Sequence, residues 1–463
     1  MQRLFVGTVM SRRTSSRREP PGPEGYPLVG SMTDFFGDRI QAFEEWVEEY
    51  GDVVRVSVAG DSYYLLAHPD HVQQVLVGNQ DAFRLAQIQR QAFAPVTGSE
   101  GLLLAEGDRW RTQRELIQPA FTGENVTEYA STIVDYAEQV AGEWSDGETV
   151  AINDEMRQLS LQILAQTLFG QDIRDRETVV RRAGEAITAK YGSGSLHYAL
   201  PDWVPTPTNR RFKRAISDLD QAIDSLVQEY RTADDPRDGR RDTLLSQLVR
   251  AETENGGGLS DKALRDNLKG FLFGGQGTGA LAMTYAWFLL GKYPAARASL
   301  VDELDTVLGG TAPTVADLDR LEYTERVVKE ALRLYPPVPN IVREAIQHVD
   351  ISGYTIDPGA AVVLPQSLVH RDERFYDEPA VFRPDRWTDE FEAGLHDGAY
   401  FPFGSGPKRC VARQYALVQT QLVLATIAQQ VDLELVSKTP LERVPAITGP
   451  PKNDIRMQVH RRR

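Results

Sequence analysis

Cysteine is almost missing from this chain: among 463 residues there is one, Cys410. A single thiol excludes an internal disulfide and every metal site built from several cysteines. It fits a reducing compartment, so the cytoplasm is the expected location. Long hydrophobic runs are missing too, and no window reaches the roughly 18 consecutive apolar residues of a membrane span. Basic charge is in short supply: 51 lysines and arginines face 66 aspartates and glutamates, a formal net charge of −15. Such a surface repels phosphate backbones, which excludes general nucleic-acid binding. No lysine stands before Lys190. Acid-rich, lysine-poor composition points equally to a salt-adapted archaeon and to a high-GC bacterial genome.

Apolar residues are present in quantity. A hydrophobic fraction of 41% with 9% aromatics is enough for a large core. The first residues, MQRLFVGTVMSRRTSSRREPPGPEG, hold no acid before Glu19 and loosely resemble a mitochondrial presequence. The acidic remainder favours a prokaryote, with 1–19 as a flexible tail ahead of a proline-rich lead-in. No repeat and no linker divides the rest, so 20–463 reads as one domain. RIQAFEEWVEEYG predicts an amphipathic helix, and VVRVSVAG and YYLLAH a strand pair. From about 108 to 310 the periodicity is helical, interrupted by the polar loop RTADDPRDGRRDT. A second strand-rich patch spans VDISGYTIDPGAAVVLP. A last helix is predicted from Cys410 to about Gln430, then short strands at VDLELV and IRMQVH. The fold class is mainly α with small β-sheets near both ends of a shared core.

Cys410 closes the stretch FGSGPKRC, Phe403 to Cys410. Most lone cysteines are small buried hydrophobes. This one follows two glycines that allow tight turns, a stiffening proline and two cations. It also opens the apolar run CVARQYALVQTQLVLATI, where helix N–H groups would favour a thiolate. Phe403, Gly406, Lys408, Cys410 and Ala412 together resemble the haem-binding loop of the cytochrome P450 superfamily, whose cysteine thiolate is the axial iron ligand. Ala412 stands where glycine is more usual. The resemblance implies haem b (iron protoporphyrin IX), lying between a long distal helix and the helix after the cysteine loop.

Other segments carry the same resemblance. KEALRLYPPVP places Glu330 and Arg333 on one helix face, and FRPDRW supplies Arg386. The family implies a buried structural charge network of these three. GDRWRTQR puts Trp110 and Arg114 at i, i+4, where an indole N–H and a guanidinium can bind a propionate; packing of the ring on the arginine stem is the simpler alternative. By resemblance, Arg343 and Lys408 complete the propionate contacts and Phe403 shields the sulfur. LKGFLFGGQGTGALAMTYAWFLLG has no proline, and one helix is predicted over Leu264 to Leu290. Its glycines at 274, 275, 277 and 279 each cost about 1 kcal/mol against alanine, which points to close approach of a ligand or a local distortion. The resemblance sets Gly274 and Gly275 against the haem and has the helix kink to admit dioxygen. The family's acid–alcohol pair is incomplete here: Thr278 keeps the alcohol, Gly277 replaces the acid and Gly279 the second threonine. Proton delivery would then rest on Thr278, with Gln276 as a second candidate.

The function implied is a haem-thiolate monooxygenase that uses dioxygen to oxidise a lipophilic small molecule. A peroxide-dependent enzyme is the alternative that the missing acid raises, and a non-catalytic haem-binding or sensing protein is the third reading. The resemblance lines the pocket with residues 92–104, Phe273, Gly274, Val338, Ile341, Val342 and Ile447, mainly apolar, which suits a fatty acid, terpenoid or steroid. A separate electron donor is implied, a ferredoxin with its reductase. Arg111, Arg409 and Arg413 would form its docking patch; solvated or locally paired arginines are the alternative. A monomer is expected.

Overall fold

The computed structural model describes residues 18–25, 31, 39–58, 60–170, 174–191, 203–232, 243–254 and 259–462. Most of the N-terminal tail and the body of the 231–243 loop lie outside them. Helix α1 (Arg39–Tyr50) buries Ala42, Phe43 and Trp46, one helical face, and is followed by Gly51 at φ +90°. Strands β1 (Val53–Val58) and β2 (Asp61–Leu66) pair antiparallel, with Val53 opposite Leu66. The short helix α2 (Pro69–Gln73) follows, and then β3 (Phe83–Leu85) runs almost directly into α3 (Gln87–Thr97). Next come α4 (Gly107–Ile117), α5 (Gly123–Glu143), β4 (Thr149–Ala151), α6 (Ile152–Leu164) and α7 (Arg174–Tyr191). Helices α8 (Pro207–Thr232), α9 (Leu244–Glu254), α10 (Asp261–Lys292), α11 (Pro294–Leu308) and α12 (Glu322–Leu334) complete the helical middle. The chain then forms β5 (Asn340–Ala345), the hairpin of β6 (Val349–Ile351) and β7 (Tyr354–Ile356), and β8 (Ala361–Pro365). It ends through α13 (Gln366–Val369), α14 (Asp389–Gly394), α15 (Arg413–Gln430), β9 (Val431–Leu435) and β10 (Arg456–Arg461).

The five-stranded sheet has the order β1-β2-β8-β5-β3, so strands far apart in sequence lie side by side. Between β8 and β3, strand β5 sets Arg343 opposite Leu85 of β3 and opposite Val362 of β8. A second sheet, β4-β10-β9, joins the middle of the chain to its end. The largest core cluster draws on α5, α6, α10, α12 and α15.

Helix α10 organises that core. Ser260 caps its start by accepting from the Ala263 N–H at 3.0 Å, and Lys292 in its last turn suits the dipole. It runs for 32 residues, three longer at the start and two at the end than the apolar run predicted. Every residue from Gly279 to Leu290 is buried, as expected where a helix is apolar on all sides. Its helical hydrogen bonding runs unbroken through the four glycines. The segment before α4 is tied to this helix: the Glu100 N–H donates to Asp266 at 2.9 Å and the Leu102 N–H to Asn267 at 2.8 Å. Asn267 also donates to Gln113 of α4 at 3.0 Å, fixing α4 against α10.

Candidate functional site

The cysteine loop is a run of tight turns. The Gly404 N–H donates to the Phe401 carbonyl at 2.8 Å, the Arg409 N–H to Gly406 at 3.2 Å and the Cys410 N–H to Phe403 at 2.9 Å. Gly404 and Gly406 have φ of +72° and +68°. At Gly406 a Cβ would also run into the Leu76 carbonyl oxygen, so both dihedral and space demand glycine there. Helix α15 begins at Arg413, not at Cys410 as the apolar run suggested. The Cys410 N–H is spent on Phe403, and residues 411 and 412 turn before the helix starts. The thiol therefore meets one N–H, that of Ala412, rather than a full first turn.

Cys410 is accessible to solvent, yet protein surrounds it closely enough that burial pushes its thiol up. The Ala412 N–H and the Arg114 charge pull it down without cancelling that rise. Accessible and desolvated together describe a thiol in the wall of a recess. A coordinated metal ion would favour the thiolate there.

Cations converge beside it from separate elements. Arg114 of α4 donates to the Arg409 carbonyl at 2.9 Å and to Gln118 at 3.1 Å, bracing the loop. Lys408 pairs with Glu106, just ahead of α4, and its Nζ lies 5.9 Å from the Trp110 ring centroid. Arg90 of α3 approaches the same carboxylate at 3.6 Å. Arg343 of β5 donates to the Val342 carbonyl at 2.9 Å. Burial lowers its guanidinium to about 10, against the opposing pull of Glu106. Glu106 and Arg90 escaped the sequence reading, because one acid among motif cations carries no spacing signal.

The glycines of α10 divide between two faces. A Cβ at Gly275 would overlap Leu164 of α6, and one at Gly279 would lie 3.1 Å from the Ser160 hydroxyl. Gly275 thus serves helix packing rather than the open side where it was expected. At Gly274 and Gly277 a Cβ would meet nothing within 4 Å. Thr278 donates its hydroxyl to the Gly274 carbonyl at 2.6 Å, leaving the Oγ1 lone pairs free to accept. Gln276 is buried, on the turn of α10 that packs into the core.

Behind the loop lies a closed charge network. Arg333 grips Glu330 with two hydrogen bonds of 2.8 Å. Arg386 adds one at 2.9 Å, the Arg383 N–H one at 3.0 Å and the Trp387 indole one at 2.9 Å. Burial pushes the Glu330 carboxyl up, but the Arg333 and Arg386 charges and hydrogen bonds outweigh it, and its pKa falls. The remaining guanidinium donors reach backbone carbonyls, Arg333 those of His370 and Pro379, Arg386 that of Asp377. Trp387 and Arg383 were not foreseen.

The family model for Cytochrome P450 matches residues 20–455. The chain belongs to the cytochrome P450 family. It is 33% identical to cyclooctatin synthase of Streptomyces melanosporofaciens over 91% of each chain. It is 32% identical to cyclooctat-9-en-7-ol 5-monooxygenase of the same organism, over 94% of this chain and 95% of that one. Pentalenene oxygenase of Streptomyces avermitilis is 29% identical over 91% of this chain and 92% of that one. The fold matches a retinoic-acid-bound cyanobacterial P450, CYP120A1, with a TM-score of 0.85 and 22% identity, over 96% of this chain and all of that one. This P450 is accordingly an oxidoreductase with a haem iron cofactor.

The residues present fit such a group. Among the described residues no three His, Cys, Asp or Glu side chains gather to hold a metal. One accessible thiol with a ring of cations suits an iron whose other ligands come from a macrocycle bearing two carboxylates. Other expected site residues disperse. Phe273 packs against a roof of Val96, Ile187 and Phe212 from α3, α7 and α8. On β5, Ile341 reaches within 3.6 Å of a Cβ at Gly404, whereas Val342 turns to the opposite face with Phe43 and Trp46 of α1. Ile447 lies in a turn whose Gly449 N–H donates to Pro337, which sets it beside the segment carrying Val338. Arg111, Arg409 and Arg413 are all exposed, and Arg111 also pairs with Asp108 one turn away. No helix among the described residues is long and apolar enough to cross a membrane.

Proposed function

We propose that this P450 is a monooxygenase that hydroxylates a terpenoid, a cyclic hydrocarbon or its mono-alcohol, with electrons from a separate ferredoxin and reductase. The observation that carries the substrate class is the likeness to cyclooctatin synthase and cyclooctat-9-en-7-ol 5-monooxygenase over nine-tenths of each chain. The apolar character of Phe273, Val338 and Ile341, expected to face the substrate, supports it, since such side chains favour a hydrocarbon skeleton. In this reading Cys410 Sγ would hold the iron of haem b. Arg114, Trp110, Lys408 and Arg343 would hold its propionates, and Phe403 would shield the sulfur. The bound haem supplies dioxygen activation and one-electron chemistry. Thr278 Oγ1 would accept from a water and hold the proton that the chemistry consumes. Gly274 and Gly277 leave room beside it for that water and the substrate.

The protein is expected to work as a cytoplasmic monomer of one domain over 20–463. Arg409 and Arg413, exposed near the loop, would meet an acidic donor. Arg413→Glu should slow reduction of the haem by ferredoxin and leave the thiolate-type spectrum intact; unchanged reduction rates would remove Arg413 from the docking surface. The decisive experiment adds terpenoid hydrocarbons and alcohols, fatty acids and steroids to the haem-loaded protein and records the spin-state shift. Products are then identified with ferredoxin, reductase and NADPH. A shift with fatty acids or steroids alone would overturn the substrate class. The absent acid at Gly277 keeps a peroxide-driven reading open. Turnover with hydrogen peroxide but none with the ferredoxin chain would establish that reading instead.

A further inference from the structure

We propose that Glu106 is an internal competitor for the haem propionates, a carboxylate seated among the cations that receive them. The inference rests on the reading of the Cys410 recess as the haem site. Three facts carry it. Glu106 is paired with Lys408, inside the cysteine loop. It attracts Arg90 of α3, with Nη1 3.6 Å from Oε1. Its charge also acts on Arg343 of β5. One carboxylate thus engages cations from three separate segments, and among the described residues no other acid is shared by them. A propionate is the same chemical group, and it needs the same donors.

Competition follows from charge. When a propionate approaches Lys408 and Arg90, Glu106 must either yield its hydrogen bonds or share them beside a like charge. Either course weakens the hold on the cofactor relative to a neutral residue of the same shape. In return Glu106 keeps Lys408 and Arg90 gathered in the empty seat, where three cations would otherwise repel one another. The residue therefore favours a preformed site that accepts haem readily and holds it less tightly than its cations alone would allow.

The experiment measures haem transfer from the loaded protein to excess apomyoglobin for wild type, Glu106→Gln, Lys408→Gln and the double variant. Glu106→Gln should lose haem roughly two- to fivefold more slowly, the weight of a half-exposed ion pair. Lys408→Gln should lose it faster, and the benefit of Glu106→Gln should shrink in the double variant, because one contested cation is gone. Loss from Glu106→Gln at the wild-type rate or faster would overturn the proposal, as would equal benefit with and without Lys408. Should Glu106→Gln fold poorly, Glu106→Asp draws the carboxylate back by one methylene and should also slow loss; faster loss from it would again refute competition. A wild-type protein that takes up no haem would instead refute the site reading on which the inference stands.

Discussion

At the scale of single residues, Glu330 has the most at stake. It is fully buried and accepts five hydrogen bonds, three of them from two guanidiniums. Removing one partner of a buried charge pair strands the other, at a cost of about 3–5 kcal/mol. Glu330→Gln keeps the shape but leaves Arg333 and Arg386 without a counter-charge, and urea unfolding should show a loss of that size. The pH dependence has a definite sign. A carboxyl whose pKa is lowered by folding stabilises fully above the ordinary glutamate value of about 4.3, and that stabilisation fades as pH falls through the lowered value. The wild-type advantage over the variant should therefore be constant from pH 8 to 6 and shrink only in strong acid. A difference already closing at pH 6 would mean that the carboxyl is not held low.

At the scale of elements, α10 uses its glycines in two ways, and alanine substitutions separate them. Gly277 has open space, so Gly277→Ala should gain about 1 kcal/mol from helix propensity alone. At Gly275 the new methyl would press on a terminal methyl of Leu164, which is buried and would have to shift within the core. Overpacking of that kind costs about 1–3 kcal/mol and should cancel or reverse the gain. Urea unfolding of both haem-loaded variants gives the comparison; equal gains would refute the division into a packed and an open face. That division was not legible in the sequence, where four glycines in six residues look alike. The cysteine loop was legible, because its chemistry fixes residue types at short spacing and its glycines answer local demands of dihedral and space. The start of α15 was misread for a local reason: an apolar run looks helical until the Cys410 N–H is found bonded to Phe403. Glu106 and Lys408 were out of reach because they meet across 302 positions. Trp387 was hidden in plain view, adjacent to Arg386 and sharing its partner.

At the scale of the whole molecule, two opposing effects decide how stability responds to mild acid. A net charge of −15 repels itself, and protonation toward the pI of about 5.1 should relieve that repulsion and stabilise the fold. Two buried histidines work the other way. Burial lowers His71 to about 4, with the His68 charge adding to it. Burial also lowers His370 to about 3, helped by the neighbouring Arg333 charge. Both are neutral in the folded protein throughout mild acid, but the unfolded chain protonates them below about pH 6.5. The unfolded state then binds more protons, so stability falls as pH falls through this window. At pH 5.5, one unit below the unfolded value, each histidine costs about 1.4 kcal/mol relative to neutral pH. Glu330 and the other lowered carboxyls act only further down, so the histidines dominate here. Each keeps a polar bond that glutamine can imitate: His71 Nε2 to the Ser352 hydroxyl at 2.8 Å, and His370 Nε2 accepting the Phe401 N–H at 3.0 Å. The wild-type protein should therefore lose stability between pH 7.5 and 5.5 despite its shrinking charge. The double variant His71→Gln, His370→Gln should hold or gain stability across the same interval, as read from urea midpoints at the two pH values. Parallel changes in both proteins would show that surface charge, and not the buried imidazoles, governs the response.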